Sequence, residues 1–256
     1  EFRMVGSRDS IAGPNVVLNT IVADAFAEAC DVLEKADDFD LAVHDLIKEY
    51  LTENQRIIFN GNGYSDEWVA EAERRGLPNI KSMVYAIPAL TTDTAIKLFG
   101  DFKVFTEAEL VSRAEVKFEN YAKTINIEAL TMIDMAKKKY IPTCIAYTKE
   151  LCDSVAVKKS LDICPCVEKE LAEKVSALTK AAYEATGKLE EAVADAAAKE
   201  SCVLEMAKAY RSEVIPVMDA LREAVDSLEV IAPSEKWPVP AYSDIIFDGA
   251  HGGSIF

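Results

Sequence analysis

The 256-residue chain is half hydrophobic, enough to bury one sizeable core or a core with a satellite bundle. Asp and Glu number 44 against 28 Lys and Arg, a formal charge of -16, and that field repels phosphate backbones and anionic membrane surfaces, which argues against nucleic-acid binding. No run of about 18 apolar residues occurs and no basic start leads into an apolar stretch, so the sequence predicts no membrane span, no signal peptide and a cytoplasmic location.

Only 10 Gly and 9 Pro punctuate the chain, and Ala, Glu, Lys and Leu fill the intervals, which predicts a mainly α fold with few, short strands. Residues 1 to 5 read as the end of a strand. Gly13 and Pro14 then open a helix whose apolar face is Val17, Leu18, Ile21, Val22, Ala25, Phe26 and Leu33. That face is expected to pack under whatever precedes Glu1. A second amphipathic helix is predicted from about Asp40 to Thr52 through Leu41, Leu46, Ile47 and Tyr50. Residues 57 to 67 hold Asn-Gly twice, and Ser65 then reads as the N-cap of a helix that stops near Gly76 and Pro78.

Thr106 and Glu109 have capping-box spacing, and the helix they start is expected to run to about Val157 with a kink or short break at Pro142. The strongest periodic signal follows: Leu171, Val175, Leu178, Ala182, Ala185, Leu189, Ala192 and Ala196 alternate at intervals of four and three. The rhythm returns at Val203, Ala207, Tyr210, Val214, Val217, Leu221, Ala224 and Leu228. Lys199, Glu200 and Ser201 interrupt it where a hairpin reverses, so two antiparallel helices fit better than one rod. With the helix before them they predict a three-helix antiparallel bundle or coiled coil over about 106 to 231, and an extended tail over 232 to 256 in which Trp237-Pro238-Val239-Pro240 can only be extended.

Several residues invite a chemical reading. Six scattered cysteines in a chain of this size are read as reduced thiols. Cys164 and Cys166 could donate two thiolates to a metal, yet a closed zinc site takes four ligands and no second pair stands at a usable spacing. His44 has acidic neighbours and reads as an exposed or core-edge histidine rather than a base, while His251 lies in a glycine-rich tail. Gly61-Asn62-Gly63 lacks the third glycine of a dinucleotide loop and reads as a turn. Glu1 and Arg3, as alternate residues of a strand, would share one face, which for most such pairs means a surface ion pair.

The run Glu1-Phe2-Arg3-Met4-Val5-Gly6-Ser7, followed by Ile11-Ala12-Gly13-Pro14-Asn15, resembles the close of the glutamine synthetase catalytic domain, and the residues through Asp24 fit its type III branch. Residues 57 to 67, 91 to 113 and 120 to 139 also resemble type III C-terminal sequence, as do Trp237-Pro238-Val239-Pro240, Tyr242, Asp244 and Phe247 near the end. Residues 143 to 234 are similar mainly in helical character.

This resemblance implies that residues 1 to 30 close a catalytic domain and that 31 to 256 form the type III helical C-terminal domain. It makes Glu1 a divalent-metal ligand and Arg3 a binder of substrate carboxylate or phosphate. The implied reaction joins glutamate and ammonia at the expense of ATP, with Mg2+ or Mn2+, in a ring-shaped homo-oligomer. The fragment is expected to be inactive alone, because the family takes its other metal ligands and its nucleotide pocket from preceding sequence. A reading from another class stays open: a non-catalytic helical interaction or oligomerisation module, for which the heptad stripes and the acidic surface are the functional features.

Overall fold

The structure, a computed structural model, describes residues 10–240 and 242–247. Every regular element among them is helical, and they divide into two compact units whose boundary, between Val116 and Lys117, falls inside one long helix.

The first unit holds α1 (Ala12–Leu33), α2 (Phe39–Glu53), α3 (Asp66–Arg74), α4 (Met83–Ala86), α5 (Asp93–Asp101) and the start of α6 (Glu107–Met135). α1 packs against both α2 and α5. Leu46, Val84, Ile87, Phe99 and Leu110 are buried. Caps set the helix ends: the side chains of Asp38, Ser65 and Thr92 accept from Leu41, Trp68 and Ala95 N–H groups and satisfy donors that the first turns leave open. α3 ends where Gly76 adopts φ +70° and Leu77 N–H reaches back to the Ala72 carbonyl, a close that only glycine makes without strain. The predicted box at α6 is present, with Thr106 N–H donating to Glu109 Oε2 at 2.8 Å and Glu109 N–H to Thr106 Oγ1 at 3.3 Å.

One knot ties the turn before α3 to that helix. Phe59 stacks on Trp68 with ring centroids 3.7 Å apart. Arg75 lies over the Trp68 ring, donates to the Ile58 carbonyl at 2.9 Å and shares the Glu71 carboxylate with Arg74. Those hydrogen bonds, Arg74 first and Arg75 second, push the Glu71 carboxyl down to about 2.

In the second unit, α6 continues into one π turn over Ala136–Tyr140 and then α7 (Ile141–Ser160). The irregularity expected at Pro142 takes the form of this π turn, with the chain continuing as helix on both sides. Ile141 N–H reaches five residues back to Ala136, and the widened turn makes room for a proline ring that would clash with the carbonyl four residues before it. The same device recurs where α9 (Val203–Ala209) passes through a π turn at Tyr210–Val214 into α10 (Ile215–Glu229), just ahead of Pro216. α8 (Cys166–Ala197) packs against α7 and against α10. The reversal at 198–202 falls where the periodic stripe lapses.

The shared core of this unit holds Val175, Ala182, Ala185, Leu189 and Ala196 from α8, with Tyr210, Val214, Leu221 and Leu228 from the returning helix, Val203–Glu229, and Ala129, Ile133 and Cys144 from the first rod, α6 with α7. Tyr210 Oη donates to Asn126 Oδ1 at 3.1 Å, and Lys137–Glu190 and Lys199–Glu213 ion pairs cross between elements.

The apolar stripe of α1 is exposed at Ile21, Val22 and Phe26, Phe26 by 68%, and the buried residue of α1 is Thr20, whose hydroxyl donates to the Val16 carbonyl. One expectation needs correction: the tail over 232 to 256 is not wholly extended, since α11 occupies Tyr242–Phe247. Prolines restrict the backbone only as far as Pro240, and Asp244 in the next turn suits a helix N-terminus. The strand predicted over residues 1 to 5 lies outside the described residues.

Leu189 is fully buried, so Leu189→Ala should lower stability by about 2–5 kcal/mol in urea unfolding, against a change within about 0.5 kcal/mol for Lys188→Ala. Equal losses for the two would refute this packing. The depressed carboxyl of Glu71 contributes stability above the ordinary carboxylate range and loses it as pH falls toward about 2. Unfolding followed by Trp68 fluorescence, with Trp237→Phe in both proteins, should show a deficit for Glu71→Gln at pH 7 that closes on acidification. A deficit independent of pH would remove the charge-assisted knot.

Candidate functional site

Glu1, Arg3 and His251, three residues to which the sequence draws notice, lie outside the described residues. His44 sits on the exposed side of α2 with its Nδ1 3.1 Å from Asp45 Oδ1. That is a surface contact and gives it no catalytic setting. Gly61-Asn62-Gly63 forms a turn, in which Asn62 Oδ1 accepts from Tyr64 N–H at 3.1 Å. Cys164 and Cys166 are joined to each other as a disulfide, which departs from the expectation of reduced thiols. Among the described residues no group of three or more His, Cys, Asp or Glu is placed to hold a metal ion.

The second unit contains a concavity of about 410 Å³ between the first rod, α10 and the segment after it. Its formation starts with the prolines. Pro238 and Pro240 keep the chain from continuing as helix, and a turn at Pro233, which accepts from Lys236 N–H at 2.9 Å, brings Trp237 down onto the core. Trp237 stacks on Tyr140 with centroids 5.2 Å apart, and Lys236 anchors the same segment to Glu150 of α7.

Met132, Met135 and Val225 supply an apolar floor, while Arg222, Asp226 and Glu229 stand along one wall. Arg222 Nε donates to Asp226 Oδ2 at 3.1 Å. Burial, helped by Glu229, pushes the Tyr140 hydroxyl above its ordinary value. Trp237 Nε1 is buried without a hydrogen-bond partner. This arrangement can receive an apolar body, and it lacks a nucleophile paired with a base. Sequence reasoning missed it because Tyr140, Arg222 and Trp237 come from separate segments, and the Trp-Pro-Val-Pro run announced only extended backbone.

Comparison with known proteins supplies what the geometry leaves open. Residues 42–159 match the glutamine synthetase C-terminal domain. The chain is 38% identical to a glutamine synthetase of Butyrivibrio fibrisolvens across 82% of its length, and 33% identical to the type-3 glutamine synthetase of Dictyostelium discoideum across 96%. The chain belongs to the glutamine synthetase family. A glutamine synthetase of Bacteroides fragilis is 29% identical, again across 96% of the chain.

The chain spans about a third of the length of these relatives, 30% of the first and 35% of the others. The family match takes in the knot of Phe59, Trp68, Glu71 and Arg75, the capping box of α6 and the π turn before Pro142. The concavity draws on residues both inside and beyond that stretch.

The unpartnered indole N–H makes a test. Trp237→Ala should cost about 3–5 kcal/mol in urea unfolding, because a large buried ring is lost. Trp237→Phe keeps one aromatic ring against Tyr140 and removes a buried donor without an acceptor, so its loss should be well below that of Trp237→Ala. Equal losses for the two would remove the stacking contact as the source of the stability.

Proposed function

We propose that this chain is the C-terminal part of a type III glutamate–ammonia ligase, in which ATP phosphorylates the glutamate side chain and ammonia displaces the phosphate. The observation that carries the reading is identity along nearly the whole chain with relatives named glutamine synthetase, one of them type-3. In this proposal residues 1 to 30 close the catalytic domain, and 31 to 256 form the helical C-terminal domain, with its bundle over about 106 to 231.

Glu1 is proposed as a divalent-metal ligand and Arg3 as a binder of substrate carboxylate or phosphate. Their chemistry suits those roles: a carboxylate is a hard oxygen donor for Mg2+ or Mn2+, and a guanidinium pairs in bidentate fashion with carboxylate or phosphate. One carboxylate does not make a metal site, and the described residues add no ligand cluster, so the remaining ligands are assigned to the part of the protein corresponding to the other two thirds of the relatives. The metal would neutralise charge on the transferring phosphoryl group. Glutamate, ammonia and ATP are the proposed substrates, the proposed assembly is a ring-shaped homo-oligomer, and the proposed location is the cytoplasm. No described helix is long and apolar enough to cross a membrane.

The exposed apolar stripe of α1 favours a second reading, a helical interaction module. The two are separated by assaying glutamine formation in the full-length protein with ATP, Mg2+, glutamate and ammonia. Alanine at the position of Glu1 or of Arg3 should each lower the rate by on the order of 10²-fold or more while assembly is unchanged. A correctly assembled native protein that makes no glutamine would leave the interaction module as the reading.

A further inference from the structure

Cys164 and Cys166 flank Pro165 in the turn from α7 to α8, with Cα atoms 5.5 Å apart and their sulfurs bonded. Both residues are exposed. A disulfide that brackets a single residue removes few conformations from the unfolded chain, so it is a poor staple. Exposed disulfides are also the ones open to exchange. These two properties point to a bond that is made and broken in use.

The surroundings favour both steps. Cys166 is the first residue of α8, a helix of 32 residues, and the open N–H groups at such an end stabilise negative charge on a thiolate. Lys158 pairs with Glu168 across the turn, while Ile163 N–H donating to the Lys158 carbonyl at 2.9 Å closes the end of α7 and Lys169 N–H donating to the Pro165 carbonyl at 3.0 Å starts α8. Reduction therefore leaves the two thiols close together. The other cysteines differ, since Cys30, Cys152 and Cys202 are exposed but unpaired and Cys144 is buried.

We propose that Cys164 and Cys166 form a reversible dithiol–disulfide couple, a modification site for small thiols and disulfides of the glutathione type. In the oxidising direction the Cys166 thiolate attacks one sulfur of the small disulfide, forming a mixed disulfide and expelling one thiolate. The Cys164 thiolate then attacks the Cys166 sulfur, the intramolecular bond forms and the second small thiolate leaves. The protein gives up two electrons and two protons, and the small disulfide is reduced to two thiols.

The test equilibrates the full chain in glutathione buffers from fully reduced to fully oxidised, quenches with acid, alkylates free thiols and maps the peptides by mass. The peptide containing Cys164 and Cys166 should pass from doubly alkylated to internally linked across the series. In Cys164→Ser the reaction should stop at glutathione on Cys166, which forms about tenfold faster than on Cys152. Three results would overturn the proposal: both sulfurs alkylated at every ratio, the bond intact at every ratio, or Cys166 of the variant reacting no faster than Cys152.

Discussion

A line of small side chains on α8 governs how the second unit is built. Ala182, Ala185 and Ala196 are buried beside Val175 and Leu189, and their size lets neighbouring backbones come close on both sides. α7 and α10 accordingly pack on the same helix. Burial of that seam outweighs the polar ties around it, since exposed ion pairs such as Lys137–Glu190 contribute little each. Acidic residues of α8 such as Glu173, Glu184 and Glu191 stand on exposed faces, away from that seam.

Much of this was legible because it is local or periodic. Intervals of three and four residues identify the buried stripe of α8 and of the returning helix, and the interruption at Lys199 to Ser201 marks the reversal. Thr106 with Glu109, Ser65 and Gly76 announce helix ends through side-chain and backbone chemistry that acts within a few residues. On α1, periodicity shows which face is apolar and not what covers it. The concavity at Tyr140, Arg222 and Trp237 needs separate segments, and the bond between Cys164 and Cys166 depends on redox chemistry that spacing does not encode. Glu1 and Arg3 rest on resemblance alone.

The knot in the first unit shows how resemblance and physics meet. Residues 57 to 67 resemble family sequence, and in the fold they hold a turn against a helix, with Phe59 covering Trp68 and the Ile58 carbonyl accepting from Arg75. A short turn rich in glycine and asparagine has little apolar surface of its own. Its fixed shape comes from aromatic stacking and charge-assisted hydrogen bonds to the helix that follows. Gly61 belongs to that shape, because a Cβ there would meet the Phe59 ring at 2.8 Å.

The two π turns carry a consequence for how such rods change length over time. Each houses an additional residue inside a helix while leaving the stripes on either side seated in the core. Helical rods of this kind can gain or lose a residue at an internal point without moving either end, whereas the same change elsewhere would rotate every later side chain by about 100° about the axis. Ala136–Tyr140 and Tyr210–Val214 are therefore points at which a one-residue change in length leaves the stripes on both sides seated.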